Sequence, residues 1–196
     1  MKITEKGLTL NVHLDSSPES PRDDESNAGT MVCWHSRHSL GDEHHYESPK
    51  DFLSKEGQKA YVILPLYLYD HSALSISTES FIGRAVHAEF DSGQVGFIYI
   101  SSDQVKAKTG LEPTEENKEQ VKNILESEVE IYDQYLNGDA YSFEITDQDG
   151  ELIVGGERYY ADSLKDAVSE MKECCWEYDF LFAKMQEQCE KEYTAG

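Results

Sequence analysis

The chain has 196 residues, 39 acidic and 17 basic, for a formal net charge of -22. An excess of that size repels itself, and it excludes nucleic-acid binding through phosphates, which needs clustered Lys and Arg. Hydrophobic residues at 38% and aromatics at 11% supply enough core material to exclude global disorder.

Residues 1–14 (MKITEKGLTLNVHL) lack the apolar stretch of a signal peptide. No segment approaches the ~20 apolar residues of a membrane span. The four cysteines, Cys33, Cys174, Cys175 and Cys189, form no C-x-x-C pair. The expectation is a cytoplasmic protein with reduced thiols.

Residues 8–14 alternate apolar and polar and predict a strand. Residues 15–29 hold Pro18, Pro21, several serines and a run of acids. They form a long loop, either a linker or a segment pinned by a ligand. Residues 30–35 read as a short strand, and residues 39–46 as a loop turning at Gly41. Ser48-Pro49 opens a short helix ending near Gly57. Residues 60–69 are an almost continuous apolar strand, in which Pro65 requires a bulge or an edge. Residues 93–100 are a further strand, followed by a short helix that stops by Gly110.

Residues 113–136 predict a long helix with a stripe through Val121, Ile124, Leu125, Tyr132 and Leu136. Residues 141–146 and 151–154 read as a hairpin. Residues 162–193 predict the longest helix, since Leu164, Val168, Met171, Cys175, Tyr178, Phe182, Met185 and Cys189 recur at i+3 and i+4. Strands come early and helices interleave late. The expected fold is therefore α+β, a single domain over residues 1–196, with a mostly antiparallel sheet and two long acidic helices in the C-terminal half. A boundary near residue 58 is disfavoured, because the strands on either side are too few to stand alone.

Five of the seven histidines fall between Cys33 and His71. Imidazole, thiolate and carboxylate together suit zinc or a similar divalent metal. The expected ligands are His35, Asp42, His44 and His71, with Cys33, His38 and Asp70 in reserve. Cys33 and His35 would point the same way from a strand, and a turn through Gly41 would return Asp42 and His44 toward them. The spacing matches no named zinc motif, and surface histidines beside a buried Cys33 explain the same residues. A structural ion is favoured over a catalytic one, because it would also anchor the 15–29 loop.

Catalytic signatures are absent: there is no G-x-S-x-G, no H-E-x-x-H and no P-loop. The expectation is a protein without enzymatic activity.

Acids crowd both predicted long helices. The first carries Glu115, Glu116, Glu119, Glu126, Glu128, Glu130 and Asp133. The second carries Asp162, Asp166, Glu170, Glu173, Glu177, Glu187, Glu190 and Glu192. An acid every three or four residues places one charge per ~5 Å of helix. Duplex DNA places one per ~1.7 Å. Two such helices approach a phosphate-like field without equalling it, and a solvated face explains the same charges. Glu119, Glu126, Glu130 and Asp133 are the candidates for partner contact.

Residues 29–35 (GTMVCWH), 40–42 (LGD), 69–72 (YDHS), 91–99 (DSGQVGFIY) and 128–136 (EVEIYDQYL) resemble a family of phage and prophage proteins with no assigned activity. The resemblance covers residues 18–180 and implies no catalytic residue. It implies a phage or mobile-element setting, where small acidic proteins block host defence and some anti-CRISPR proteins are similar in size and charge. The leading expectation is a phage-encoded, non-enzymatic inhibitor in the host cytoplasm. It would bind the basic channel of a defence nuclease, such as an RNA-guided type II Cas effector, and block nucleic-acid loading. A structural divalent metal, zinc first, would accompany it. A metal-dependent hydrolase using the His/Asp cluster and a phage accessory protein without a defence role are the alternatives.

Overall fold

The structure is a computed structural model that describes residues 1–195, with side chains through residue 191, so Glu192 lies outside the described side chains. The chain begins with strands β1 (Lys2–Glu5), β2 (Leu8–Leu14) and β3 (Thr30–Cys33). Helix α1 (Pro49–Phe52), continued by a π turn at Leu53–Gly57, leads to β4 (Ala60–Asp70) and β5 (Leu74–Ser77). Next come α2 (Ala88–Asp91), β6 (Ser92–Ser101), α3 (Val105–Thr109) and the long α4 (Lys118–Asn137). Strands β7 (Ala140–Thr146) and β8 (Leu152–Tyr160) precede helices α5 (Leu164–Cys174) and α6 (Asp179–Ala195). The fold is α+β, and both of its sheets are antiparallel. Among the described residues no helix is long and apolar enough to cross a membrane.

The chain divides into two compact units, one made of residues 19–137 and the other of residues 1–18 with 138–196. In the 19–137 unit the sheet order is β3-β6-β4-β5. Alternate residues of β3 and β6 serve opposite faces, as the two-residue period of a strand requires. Met31, Ile98 and Ile100 join the core with Val121, Leu125 and Val129 of α4. Val32 and Tyr99 pack on the other side with Phe52 of α1. Ser48 caps α1 by accepting from the Asp51 N–H, with Pro49 at the first helical position. Gly96 is fixed by strand approach, since a Cβ there would lie 2.0 Å from the Val32 carbonyl oxygen.

Pro65 sits opposite Phe97 in the β4–β6 ladder, and the register shifts just beyond it, between Leu66 and Tyr67. On its other side β4 is paired with β5 only from Tyr67 to Asp70. The proline thus stands beside a bulge, on a stretch with one open side.

In the other unit the sheet order is β1-β2-β7-β8. One face buries Leu10, Val12, Phe143 and Ile145 against Val168, Met171, Phe182 and Met185. The single helix expected over residues 162–193 is instead a hairpin. It breaks at Cys175 (φ -114°, ψ 51°) and passes through a 3-10 turn at Trp176–Tyr178. Three contacts set the antiparallel register of α5 and α6: Lys172 to Asp179, Ser169 to Gln186 and Lys165 to Glu190. A straight helix over that span would be ~48 Å long, whereas four strands are only ~19 Å across. Folding back lets both halves of the apolar stripe cover the same sheet.

Candidate functional site

Residues 19–29 are held by Arg22, whose side chain is 3% exposed. Its Nε and Nη2 donate to the two oxygens of Asp42 at 2.8 and 2.9 Å. Nη1 donates to Glu128 at 3.0 Å, and Nη2 also donates to the Gly29 carbonyl at 2.7 Å. The carboxylates are used in turn by backbone: Ala28 N–H donates to Glu128 and Met31 N–H to Asp42. Burial alone would lower the Arg22 pKa, but hydrogen bonds and charge from Asp42 and Glu128 outweigh it and raise the value. Asn27 closes the turn locally by donating to the Pro21 and Asp24 carbonyls. The loop is anchored through this arginine, by contacts that need no ion.

That lock takes both oxygens of Asp42, one of the expected metal ligands. The other expected ligands divide among separate contacts. His44 lies against Trp34, ring centroids 4.8 Å apart, with Nε2 2.8 Å from the Cys33 carbonyl. A carbonyl only accepts, so Nε2 carries a proton, and in the neutral ring Nδ1 is the lone-pair atom. That Nδ1 is buried and has no hydrogen-bond partner. Burial, then the Asp42 carboxylate, pushes the Cys33 thiol up to about 12, so it stays protonated at neutral pH.

His35 stacks on His38 at 5.0 Å and uses Nδ1 to accept from the backbone of Arg37 and His38. Burial, then the neighbouring His38 and Arg37, lowers its pKa and favours the neutral ring. His38 Nε2 is 3.1 Å from Asp70, which also takes the Arg37 guanidinium at 2.5 Å. His71 Nδ1 is paired with Asp91 at 2.8 Å. Among the described residues, no three of these groups converge to hold an ion. Residues 33–40 and 42–44 line an open hollow of about 860 Å³, which is histidine-rich and carries Arg37.

The acids of α4 fall into two kinds that sequence does not separate. Glu119 is exposed and shares Lys122 with the half-buried Glu126. Glu130 is also exposed. Asp133 is committed to the fold, because it accepts from Ser75 Oγ at 2.8 Å and from the Ile76 N–H at 2.6 Å. Glu128 belongs to the Arg22 lock. Of the four candidates for partner contact, Glu119 and Glu130 present open carboxylate surface and Glu126 does so in part.

Arg22 and Glu128 are the residues that sequence reasoning missed as a pair. The available signal was that Arg22 is the only basic residue in the strongly acidic stretch 15–29.

The charge is not confined to α4. The 19–137 unit holds 22 acidic and 10 basic residues, net -12, and the other holds 17 and 7, net -10. No family model, curated protein or solved structure matches this chain.

Proposed function

We propose that this protein is a non-enzymatic binding protein that occupies a basic, nucleic-acid-binding surface of another protein. The observation that carries the reading is the distribution of charge: both compact units are strongly acidic, at net -12 and -10. A solubilising tail would concentrate the excess in one segment, whereas a charge spread through folded units presents a field from rigid surfaces. Exposed acids such as Glu119 and Glu130 project from a helix whose opposite face is core. In its specific form, the proposal is a phage-encoded inhibitor acting in the host cytoplasm on a defence nuclease, an RNA-guided type II Cas effector included, by blocking nucleic-acid loading.

The test is titration against a panel of RNA-guided nucleases, scoring guide and DNA binding together with cleavage. Stoichiometric inhibition that weakens steeply with salt and is relieved by excess nucleic acid supports the proposal, because contacts between exposed charges are screened beyond ~8 Å at physiological ionic strength. Substoichiometric inhibition would assign an enzyme instead. No inhibition at equimolar ratio removes the Cas version. Zinc enters the proposal only as an addition at the histidine-rich hollow, where the buried, unpartnered Nδ1 of His44 would be a donor in the neutral ring. Elemental analysis of protein purified without immobilised metal decides it: one metal per chain retains zinc, and none removes it.

A further inference from the structure

Residues 78–91 connect β5 to β6 and hold three large apolar side chains in solvent. Ile82 is 62% exposed, Val86 69% and Phe90 88%. Single exposed apolar residues are normal on a protein surface, but a cluster within nine residues of chain marks an interaction surface. The backbone beneath them is tied down. Phe81 is buried and stacks on Tyr69 at 5.5 Å, and the Tyr69 hydroxyl donates to the Val86 carbonyl at 2.8 Å. Arg84 and Ala85 close a turn on the Phe81 carbonyl, and Phe90 and Asp91 close another on that of His87. Between the turns His87 adopts φ +58°, a left-handed conformation that L side chains rarely take. Ala88 is fully buried. The segment is a fixed ridge that presents side chains a core would otherwise take up.

The same connection lines a hollow of about 430 Å³, with Glu79, Phe81 and Arg84 on one side and Glu126, Glu130 and Asp133 of α4 on the other, while Phe90 lines a second hollow of about 320 Å³ with Trp34, His35, Arg37 and Asp70. In the first, four carboxylates face one guanidinium, and Arg84 is already paired with Glu79 at 2.9 Å. An exposed apolar run joined through Phe81 and Arg84 to an acidic trough is the complement of a segment that carries both an apolar stripe and Lys or Arg. We propose that residues 82–90 and the trough along α4 form the docking surface for a basic amphipathic segment of a partner protein. Phe90 and Val86 are its apolar anchors, and Glu126 and Glu130 receive the cations. A second copy of this chain would bring a charge of -22 against -22, and an anionic membrane is repelled in the same way.

This inference rests on the proposed function and assigns where within the acidic surface the partner is seated. The probes are two synthetic peptides of equal charge, a Leu/Lys amphipathic helix and a Ser/Lys counterpart, titrated by calorimetry against the full chain at low salt. The Leu/Lys peptide is expected to bind about tenfold more tightly. Phe90→Ser with Val86→Ser should erase that difference and leave Ser/Lys binding unchanged, while Glu130→Lys weakens both peptides. Circular dichroism of each variant checks that the fold is retained. If the double variant is folded and the peptide ratio persists, the ridge is not the anchor, and the charge reading survives through the salt-dependent binding of both peptides. If neither peptide binds at low salt, the inference and the charge reading fall together. Sedimentation giving a wild-type dimer that Phe90→Ser converts to a monomer would overturn the inference in favour of self-association.

Discussion

Two connections in the 19–137 unit, residues 19–29 and residues 78–91, invert what their compositions suggest. The first is polar almost throughout, with Ala28 its one apolar residue besides proline and glycine. Yet it contains an arginine side chain 3% exposed, and Ala28 and Gly29 are buried. The second holds Phe81, Ile82, Ala85, Val86, Ala88 and Phe90, yet leaves three of the six in water. The difference lies in what the long-range contacts bury. Arg22 reaches Asp42 and Glu128, which are 20 and 106 positions away. The second connection is held by its backbone turns, by Phe81 and Ala88, and by the contacts of Tyr69 with the Val86 carbonyl and of His71 with Asp91, none of which takes up the side chains of Ile82, Val86 or Phe90.

Breaking the lock should have the largest effect. Arg22→Met keeps the aliphatic volume and strands two partly buried carboxylates, so the loss should be about 3–5 kcal/mol in urea unfolding. New protease cleavage should appear within residues 19–29. A loss below about 1 kcal/mol would place this pair among ordinary surface bridges and dissolve the contrast. Gly29→Ala should follow at about 1–3 kcal/mol. A Cβ there would lie 2.6 Å from Leu125 Cδ2 and 2.8 Å from Ile98 Cγ1, so the effect comes from overpacking while every Arg22 contact is kept. On the second connection, Phe90→Ser should change stability by no more than about 0.5 kcal/mol, because its ring is already in water. A larger loss by the same measurement would show that the ridge is part of the core.

The elements that could be read from sequence are those long enough to repeat a pattern. Alternation along β2 and the apolar run of β4 each specify a strand over seven residues or more. β1 and β5 have four residues each and bury one apiece, Ile3 and Ile76, which is too little for a period to emerge. The α5–α6 hairpin escapes for another reason: a stripe at i+3 and i+4 looks the same whether the helix runs on or folds back onto the same sheet.

The site was legible only in part. The histidine-rich stretch does line one hollow, but Asp42 answers to Arg22, and His71 to Asp91. Nothing in the order of acids along α4 distinguishes Glu128 and Asp133, which hold the fold, from Glu119 and Glu130, which face solvent. Only their positions opposite Arg22 and β5 do so.

The smaller unit is assembled from the two ends of the sequence. Strand β2 pairs along β7, with Leu14 opposite Tyr141, and Asp15 N–H donates to the Ala140 carbonyl. During synthesis, β2 is therefore made well before its partner. At ribosomal speed the whole of residues 19–137 takes on the order of ten seconds to emerge. For that interval Leu8, Leu10, Val12 and Leu14 belong to a hairpin with no third strand and no covering helix, and such a hairpin is marginal in water. The nascent chain thus carries a sticky, unpaired edge throughout the synthesis of residues 19–137, and that is the stage at which a holdase chaperone would make the greatest difference to yield.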